Sequence, residues 1–259
     1  MSRHPIRVLW RFFLFLGVCG CALLDFVLRV WLTGRAGEIR KRTEWSRRWG
    51  RAFASVLQVE IMVEGRAPSA GILVSNHLSY LDIVVFATTR PMVFVSKADV
   101  QRWPMIGWLT RCAGSLFLKR EVKADVVRIG QQFAPLIAAG EVIAVFPEGT
   151  SSGGDAVLPF KASLFAPVAA HGWTLTPAAI RYQLDDGDVS QEVAYWADMS
   201  FAPHFMNLLS KRRIRATVRF GEPIEGVTDR KQLAREAHDQ VTALHAELTG
   251  SGADPIRVQ

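Results

Sequence analysis

Cysteine is scarce in this chain, with three in 259 residues. Cys19, Cys21 and Cys112 show no metal-ligand spacing and no disulfide framework. A stapled secreted scaffold is thereby excluded, and a reducing cytoplasm fits better. Acidic residues are also under-supplied, 24 against 31 Lys plus Arg, which leaves a net charge of +7. Such a surplus suits anionic partners such as phospholipid headgroups, coenzyme A phosphates or an acidic carrier protein. Nucleic acid would suit the charge too, but no recognisable nucleic-acid motif is present. Repeats and low-complexity tracts are missing as well. With 21% charged residues and a mean hydropathy of +0.15, the chain is too polar for a multi-span transporter.

Long apolar runs are equally rare. The one at Phe12–Leu24 is about 13 residues, short of the roughly 20 that cross a hydrocarbon core. Asp25 and Arg29 interrupt it at i, i+4 spacing, where they can pair along one helix face before Val30, Trp31 and Leu32 resume. Basic residues flank both ends, Arg3, Arg7 and Arg11 before and Arg35, Arg40, Lys41, Arg42, Arg47 and Arg48 after. Basic flanks on both sides predict a helix that dips into the cytoplasmic leaflet and returns, with arginines at the headgroups. A single span is the competing reading. A signal peptide is disfavoured because Asp25 and Arg29 occupy the cleavage region. A second helix, predicted over Glu38–Leu57, carries Trp45, Trp49, Phe53 and Leu57 at helical spacing, as core packing requires.

Beyond Leu57 the pattern alternates. Apolar, β-branched runs at Val59–Val63, Ile72–Ser75, Met92–Ser96, Ser115–Leu118, Val142–Phe146, Thr174–Ile180 and Ala216–Phe220 read as strands. Helical stretches lie between them at Tyr80–Thr88, Ala98–Thr110, Ala124–Ala139, Lys161–Ala170 and Asp229–Leu248, the last opening on an Asp229/Gln232 capping box. This alternation predicts an α/β fold, a single domain with a mostly parallel mixed sheet flanked by helices. Three parts are expected: a membrane-associated helical segment at 1–57, a catalytic domain at 58–250 and a flexible tail at 251–259. Leu184–Ser210 breaks the rhythm as an insertion whose Tyr195, Trp196, Phe201 and Phe205 either cover the site or touch lipid.

Chemistry concentrates at strand ends. Asn76-His77-Leu78-Ser79-Tyr80-Leu81-Asp82 follows a strand directly, so Asp82 can fold back from the next helix to the His77 imidazole. A carboxylate on one ring nitrogen fixes the tautomer and leaves the other nitrogen basic. No Ser or Cys occupies a nucleophile elbow, so the simplest completion is a substrate that brings its own hydroxyl for His77 to deprotonate. A structural His–Asp pair is the plainer alternative. Phe146-Pro147-Glu148-Gly149-Thr150-Ser151-Ser152 follows another strand; Gly149 permits close backbone approach, and the three hydroxyls can donate to a phosphate or glycerol head. An ordinary turn would read the same way. Gly114-Ser115-Leu116-Phe117-Leu118-Lys119-Arg120 ends a strand in two cations, suited to a phosphate clamp or simply to solvent.

Taken together these blocks resemble the glycerolipid acyltransferase family, whose archetype is 1-acylglycerol-3-phosphate acyltransferase. The family's Asn-His-(four residues)-Asp block matches Asn76, His77 and Asp82, its Gly-x-x-Phe-x-x-Arg strand matches Gly114, Phe117 and Arg120, and Phe-Pro-Glu-Gly-Thr matches Phe146–Thr150 without a change. A fourth block, a Pro after a short apolar strand, is met only loosely by Thr176-Pro177-Ala178. The likeness spans about Val59 to Phe220. It implies His77 as general base, Asp82 as its orienting partner, and Arg120, Glu148, Gly149 and Thr150 at the acceptor headgroup, with Ser151 beside them. Lys97 also falls on a family position and is expected either to steady the tetrahedral oxyanion or to lie on the surface. The donor implied is acyl-CoA or acyl-carrier protein, a substrate rather than a bound cofactor, and no metal is needed. Many members carry Arg after the Thr of the third block, where Ser151 stands here; Lys161 is the nearest replacement cation. The acceptor expected from the family is 1-acylglycerol-3-phosphate, with a lyso-ornithine lipid or another lysophospholipid as the alternative. A lipid or thioester hydrolase is the rival from a different class.

Overall fold

The computed structural model describes residues 4–34, 37–103, 105–118 and 123–250, with side chains from 127 onward in the last stretch. The 251–259 tail and Arg120 lie outside them. Seven strands form one sheet in the order β1-β7-β6-β2-β5-β3-β4. They are β1 (Val59–Glu64), β2 (Gly71–Ser75), β3 (Val93–Lys97), β4 (Leu116–Leu118), β5 (Val142–Val145), β6 (Leu175–Leu184) and β7 (Ile214–Phe220). All neighbours pair in parallel except β6 with β7. Every residue of β2 and β5 is buried, as strands covered on both faces must be, which is why they read as unbroken apolar runs.

The helices are α1 (Pro5–Phe26), α2 (Glu38–Val56), α3 (Leu81–Thr89), α4 (Ile106–Cys112), α5 (Lys123–Ala138), α6 (Ala166–His171), α7 (Val189–Glu192), α8 (Phe201–Ser210) and α9 (Arg230–Gly250). One core cluster joins α1, α2, α3 and α8 to one side of the sheet through Phe15, Phe53, Phe86 and Leu208. A second, with Ile129, Val168 and Val241, joins α5, α6 and α9 to the other side. The expected helix at Ala98–Thr110 is divided into a 3-10 turn, Ala98–Arg102, and α4. Met105 between them has φ 64°, a left-handed value that no α-helix accommodates. Asp229 caps α9 through the N–H groups of Lys231 and Gln232, but the Gln232 side chain reaches Glu236 and leaves the box half made.

The N-terminal helix departs from expectation in its arginines. A π-helical turn at Val27–Trp31 prolongs α1, so the helical stretch Pro5–Trp31 is long and apolar enough to cross a membrane. Arg29 does pair with Asp25, at 2.6 Å, and Arg48 and Trp49 Nε1 join them, each at 2.9 Å. Arg7 and Arg11, expected at headgroups, instead donate to the carbonyls of Leu209, Ser210 and Lys211 at the end of α8. Those carbonyls have no partner inside their own helix, and the cations meet the negative end of its dipole. Trp45 and Phe53 are buried, as core packing required.

Candidate active site

The register of the sheet places the two motif loops side by side. Val74 of β2 pairs with Val145 of β5, so the chain leaves both strands at the same level and same edge. Loops at the carboxyl edge of a parallel sheet are where ligands meet such folds. Asn76 ties the first loop down: its side chain donates to the Ile180 carbonyl and accepts from the Ile180 N–H, at 3.0 and 2.9 Å. His77 then emerges over the stacked ring of Phe146, with centroids 4.3 Å apart.

Asp82 returns from the first turn of α3 as expected, and its Oδ2 lies 2.7 Å from His77 Nδ1. The same oxygen accepts from the N–H groups of Leu78 and Ser79, at 2.7 and 3.0 Å. Its other oxygen accepts from Tyr182 on β6, at 2.7 Å. Four donors converge on this carboxylate, one of them the His77 ring, so His77 presents Nδ1–H to it and keeps Nε2 as the base. Burial, the neighbouring Asp82 and its hydrogen bond push the Tyr182 phenol well above 10.0, so it remains a donor.

The second loop sorts its residues differently. Gly149 takes φ 79°, and the Lys161 side chain lies across it so closely that an added Cβ would meet Nζ at 2.5 Å. The Lys161 cation, expected as the replacement for the family arginine, is therefore beside the loop. Thr150 faces solvent, while the Ser151 hydroxyl donates to the Tyr195 carbonyl. Glu148 lies beneath the loop, 3% exposed, and neither oxygen makes a hydrogen bond of good geometry. Burial raises its carboxyl from 4.5 to about 8, with the N–H groups of Leu158 and His77 opposing the rise and the Asp82 charge adding to it. Lys97 is exposed and pairs with Asp99 at 2.9 Å. Pro177 of the fourth block sits on β6 opposite Val74.

What the sequence did not reveal is the space these residues border. A mostly apolar cavity of about 330 Å³ has His77, Gly149, Thr150, Ser151 and Lys97 in its wall, but not Glu148. It is continued by Trp45, Trp49 and Phe53 of α2, Phe15 of α1, and Leu109 of α4. The aromatic spacing along α2 was the available signal; packing and cavity walls use the same pattern. Of the insertion aromatics, Tyr195 and Phe205 line the cavity. A larger cleft of about 720 Å³ near Arg51, Gln58, Arg212 and Arg213 shares none of these residues.

An imidazole hydrogen-bonded to a buried carboxylate and open to an apolar cavity suits acyl transfer to an oxygen. Comparison with known proteins agrees. Residues 58–181 match the Acyltransferase family. A lyso-ornithine lipid O-acyltransferase of Pseudomonas aeruginosa is 34% identical over 230 residues, covering 86% of this chain and 88% of that one. A lyso-ornithine lipid O-acyltransferase of Rhodobacter capsulatus is 36% identical, covering 71% and 69%. A 1-acyl-sn-glycerol-3-phosphate acyltransferase of Neisseria meningitidis is 29% identical, covering 66% and 68%. The crystal structure of the Thermotoga maritima 1-acyl-sn-glycerophosphate acyltransferase shares the fold, with a TM-score of 0.72, 20% identity and coverage of 97% and 98%. The chain belongs to the acyltransferase family, as an O-acyltransferase of lipid metabolism.

Proposed function

We propose that this enzyme transfers a fatty acyl group from acyl-CoA or acyl-carrier protein to the free hydroxyl of a lyso-ornithine lipid at a cytoplasmic membrane face. The observation that carries the reading is the His77–Asp82 pair opening on an apolar cavity, which suits a fatty chain beside a base. The base takes the hydroxyl proton as the oxygen attacks the thioester carbonyl. Collapse of the tetrahedral adduct breaks the C–S bond, and the imidazolium returns the proton to the departing thiolate. Asp82 steadies the transient cation, as the third group of a triad does.

The acceptor assignment rests on the relatives. Family membership alone favours 1-acylglycerol-3-phosphate, but the two relatives above that exceed 30% identity both act on lyso-ornithine lipid. Ser151 in place of a phosphate-pairing arginine supports the same choice, since a carboxylate-bearing head needs less positive charge than a phosphate. The membrane assignment is supported by the outward face of α1, where Trp10, Phe13, Leu24 and Trp31 are all 60–70% exposed.

Purified enzyme given labelled acyl-CoA and a panel of lyso-ornithine lipid, 1-acylglycerol-3-phosphate and other lysophospholipids tests this by mass spectrometry. The expected product is the diacylated ornithine lipid. Preferential acylation of 1-acylglycerol-3-phosphate overturns the acceptor, and free fatty acid formed at the same rate without acceptor overturns transfer in favour of hydrolysis.

A further inference from the structure

We infer that His204 is a positioning residue for acyl transfer, the ring through which α8 holds the Ala194–Tyr195 strap against both catalytic loops. The inference rests on the proposed thioester-to-lysolipid reaction and adds a residue to it.

The strap is attached on its inner side to each loop. Tyr195 N–H donates to the Leu78 carbonyl at 2.8 Å, one residue after the catalytic His77. The Ser151 hydroxyl of the second loop donates to the Tyr195 carbonyl. The Ser152 N–H then closes the circuit onto the His77 carbonyl, at 2.9 Å. Three segments distant in sequence therefore share one hydrogen-bonded seam at the cavity mouth, and the Tyr195 side chain forms part of its wall.

On the outer side the Ala194 N–H donates to the Val189 carbonyl at 2.8 Å, and His204 supplies the hydrogen bond that reaches Ala194 from α8. His204, 6% exposed, has its Nε2 2.9 Å from the Ala194 carbonyl and its Nδ1 2.9 Å from the Tyr80 hydroxyl. A carbonyl oxygen can only accept, so Nε2 carries the proton; burial lowers the affinity of the ring for a second one, and Nδ1 then accepts from Tyr80. Tyr80 lies inside the His77–Asp82 motif, immediately before α3. The imidazole thus joins the motif to the strap through a rigid ring with one donor and one acceptor. Tyr80, Tyr195 and His204 also pack on one another with centroids 5.2–5.5 Å apart. Its helix is itself fixed: Phe205 packs on Phe15 at 4.8 Å, and Arg7 and Arg11 hold the carbonyls at the end of α8.

A strap seated this way closes one side of the space around His77. Loosening it admits water beside an activated thioester, and water competes with the lipid hydroxyl for the same carbonyl. The quantity that reports the role is the ratio of acyl transfer to donor hydrolysis, which a residue serving stability alone does not move.

The test uses the full-length enzyme, labelled palmitoyl-CoA and whichever lysolipid the unmodified enzyme acylates, so failure of the lyso-ornithine assignment is read separately in the unmodified arm. His204→Phe keeps the aromatic packing and removes both hydrogen bonds; its transfer-to-hydrolysis ratio is expected to fall about tenfold while the melting temperature stays within a few degrees. His204→Gln, which has one donor and one acceptor, is expected to recover part of the ratio. Tyr80→Phe is expected to lower it by a smaller factor, and the double variant to match His204→Phe. An unchanged ratio in a folded His204→Phe overturns the proposal, as does a double variant whose losses multiply. Should His204→Phe fail to fold, Tyr80→Phe decides: a lowered ratio supports the proposal and an unchanged one overturns it.

Discussion

Two acidic side chains lie buried under adjacent loops, Asp82 after β2 and Glu148 after β5, and they are treated in opposite ways. Asp82, fully buried, receives a histidine, two backbone N–H groups and a tyrosine hydroxyl. Glu148, almost as deep, has no well-formed hydrogen bond and holds its proton to about pH 8. Similar burial therefore does not mean similar surroundings: four donors converge on one carboxyl, and the other has no well-formed hydrogen bond. Asp82 is placed to accept from the His77 ring, and Glu148 lies under the second loop with its proton retained.

Removing the imidazole that Asp82 serves gives the largest effect: His77→Ala is expected to lower kcat by roughly 10²-fold or more, with lipid binding retained in a vesicle flotation assay. Asp82→Asn keeps the shape but replaces an acceptor by a donor on one side, which opposes the Nδ1–H tautomer. A loss of about 10²-fold in kcat is expected, and a loss under threefold would break the claim that Asp82 orients the base. Tyr182→Phe removes one of the four donors and so moves Asp82 a step toward the condition of Glu148. Activity is expected to fall several-fold and stability by about 1–3 kcal/mol in urea titration.

Glu148→Gln gives the smallest change in activity, expected within about threefold at pH 7, because the native carboxyl is already uncharged there. Its signature is in stability. Folded Glu148 keeps its proton to about pH 8, whereas the unfolded chain releases it near 4.5, so folding takes up a proton across that window. The Glu148 contribution to stability is therefore lost as pH rises from 4.5 to about 8, and the glutamine variant lacks that loss. Melting curves from pH 5 to 9 should show the variant gaining on the parent steadily. Parallel curves would show that Glu148 ionises normally, and a large loss of transfer would support its expected place at the acceptor headgroup.

The contrast also marks what one dimension can carry. The central strands β2 and β5 were legible because parallel strands buried on both faces leave unbroken apolar runs. The His77–Asp82 pair was legible because the short loop after β2 lets Asp82, in the first turn of α3, fold back onto a residue five positions earlier. Tyr182 was not: it lies 100 positions from Asp82 and arrives only because β6 pairs with β2. The cavity was hidden for the same reason, its wall being shared among α1, α2, α3, α4 and the insertion. His204 falls within Leu184–Ser210, where the strand–helix rhythm breaks and no pattern marks one polar residue over another. Arg7 and Arg11 matched the composition of a headgroup flank, and composition does not tell a lipid phosphate from the carbonyl end of a helix.

That last pairing has a practical consequence for anyone making the enzyme in soluble form. Clipping off the oily leader would strip Phe15 from the core and unfasten α8, so the shortened protein should emerge damaged as well as detergent-free. Repainting only its outward positions, Trp10, Phe13, Leu24, Leu28 and Trp31, with polar residues should yield a species that leaves the lipid fraction on centrifugation yet still turns over a micellar substrate. The hinge between handling and activity is thus which side of one helix is edited.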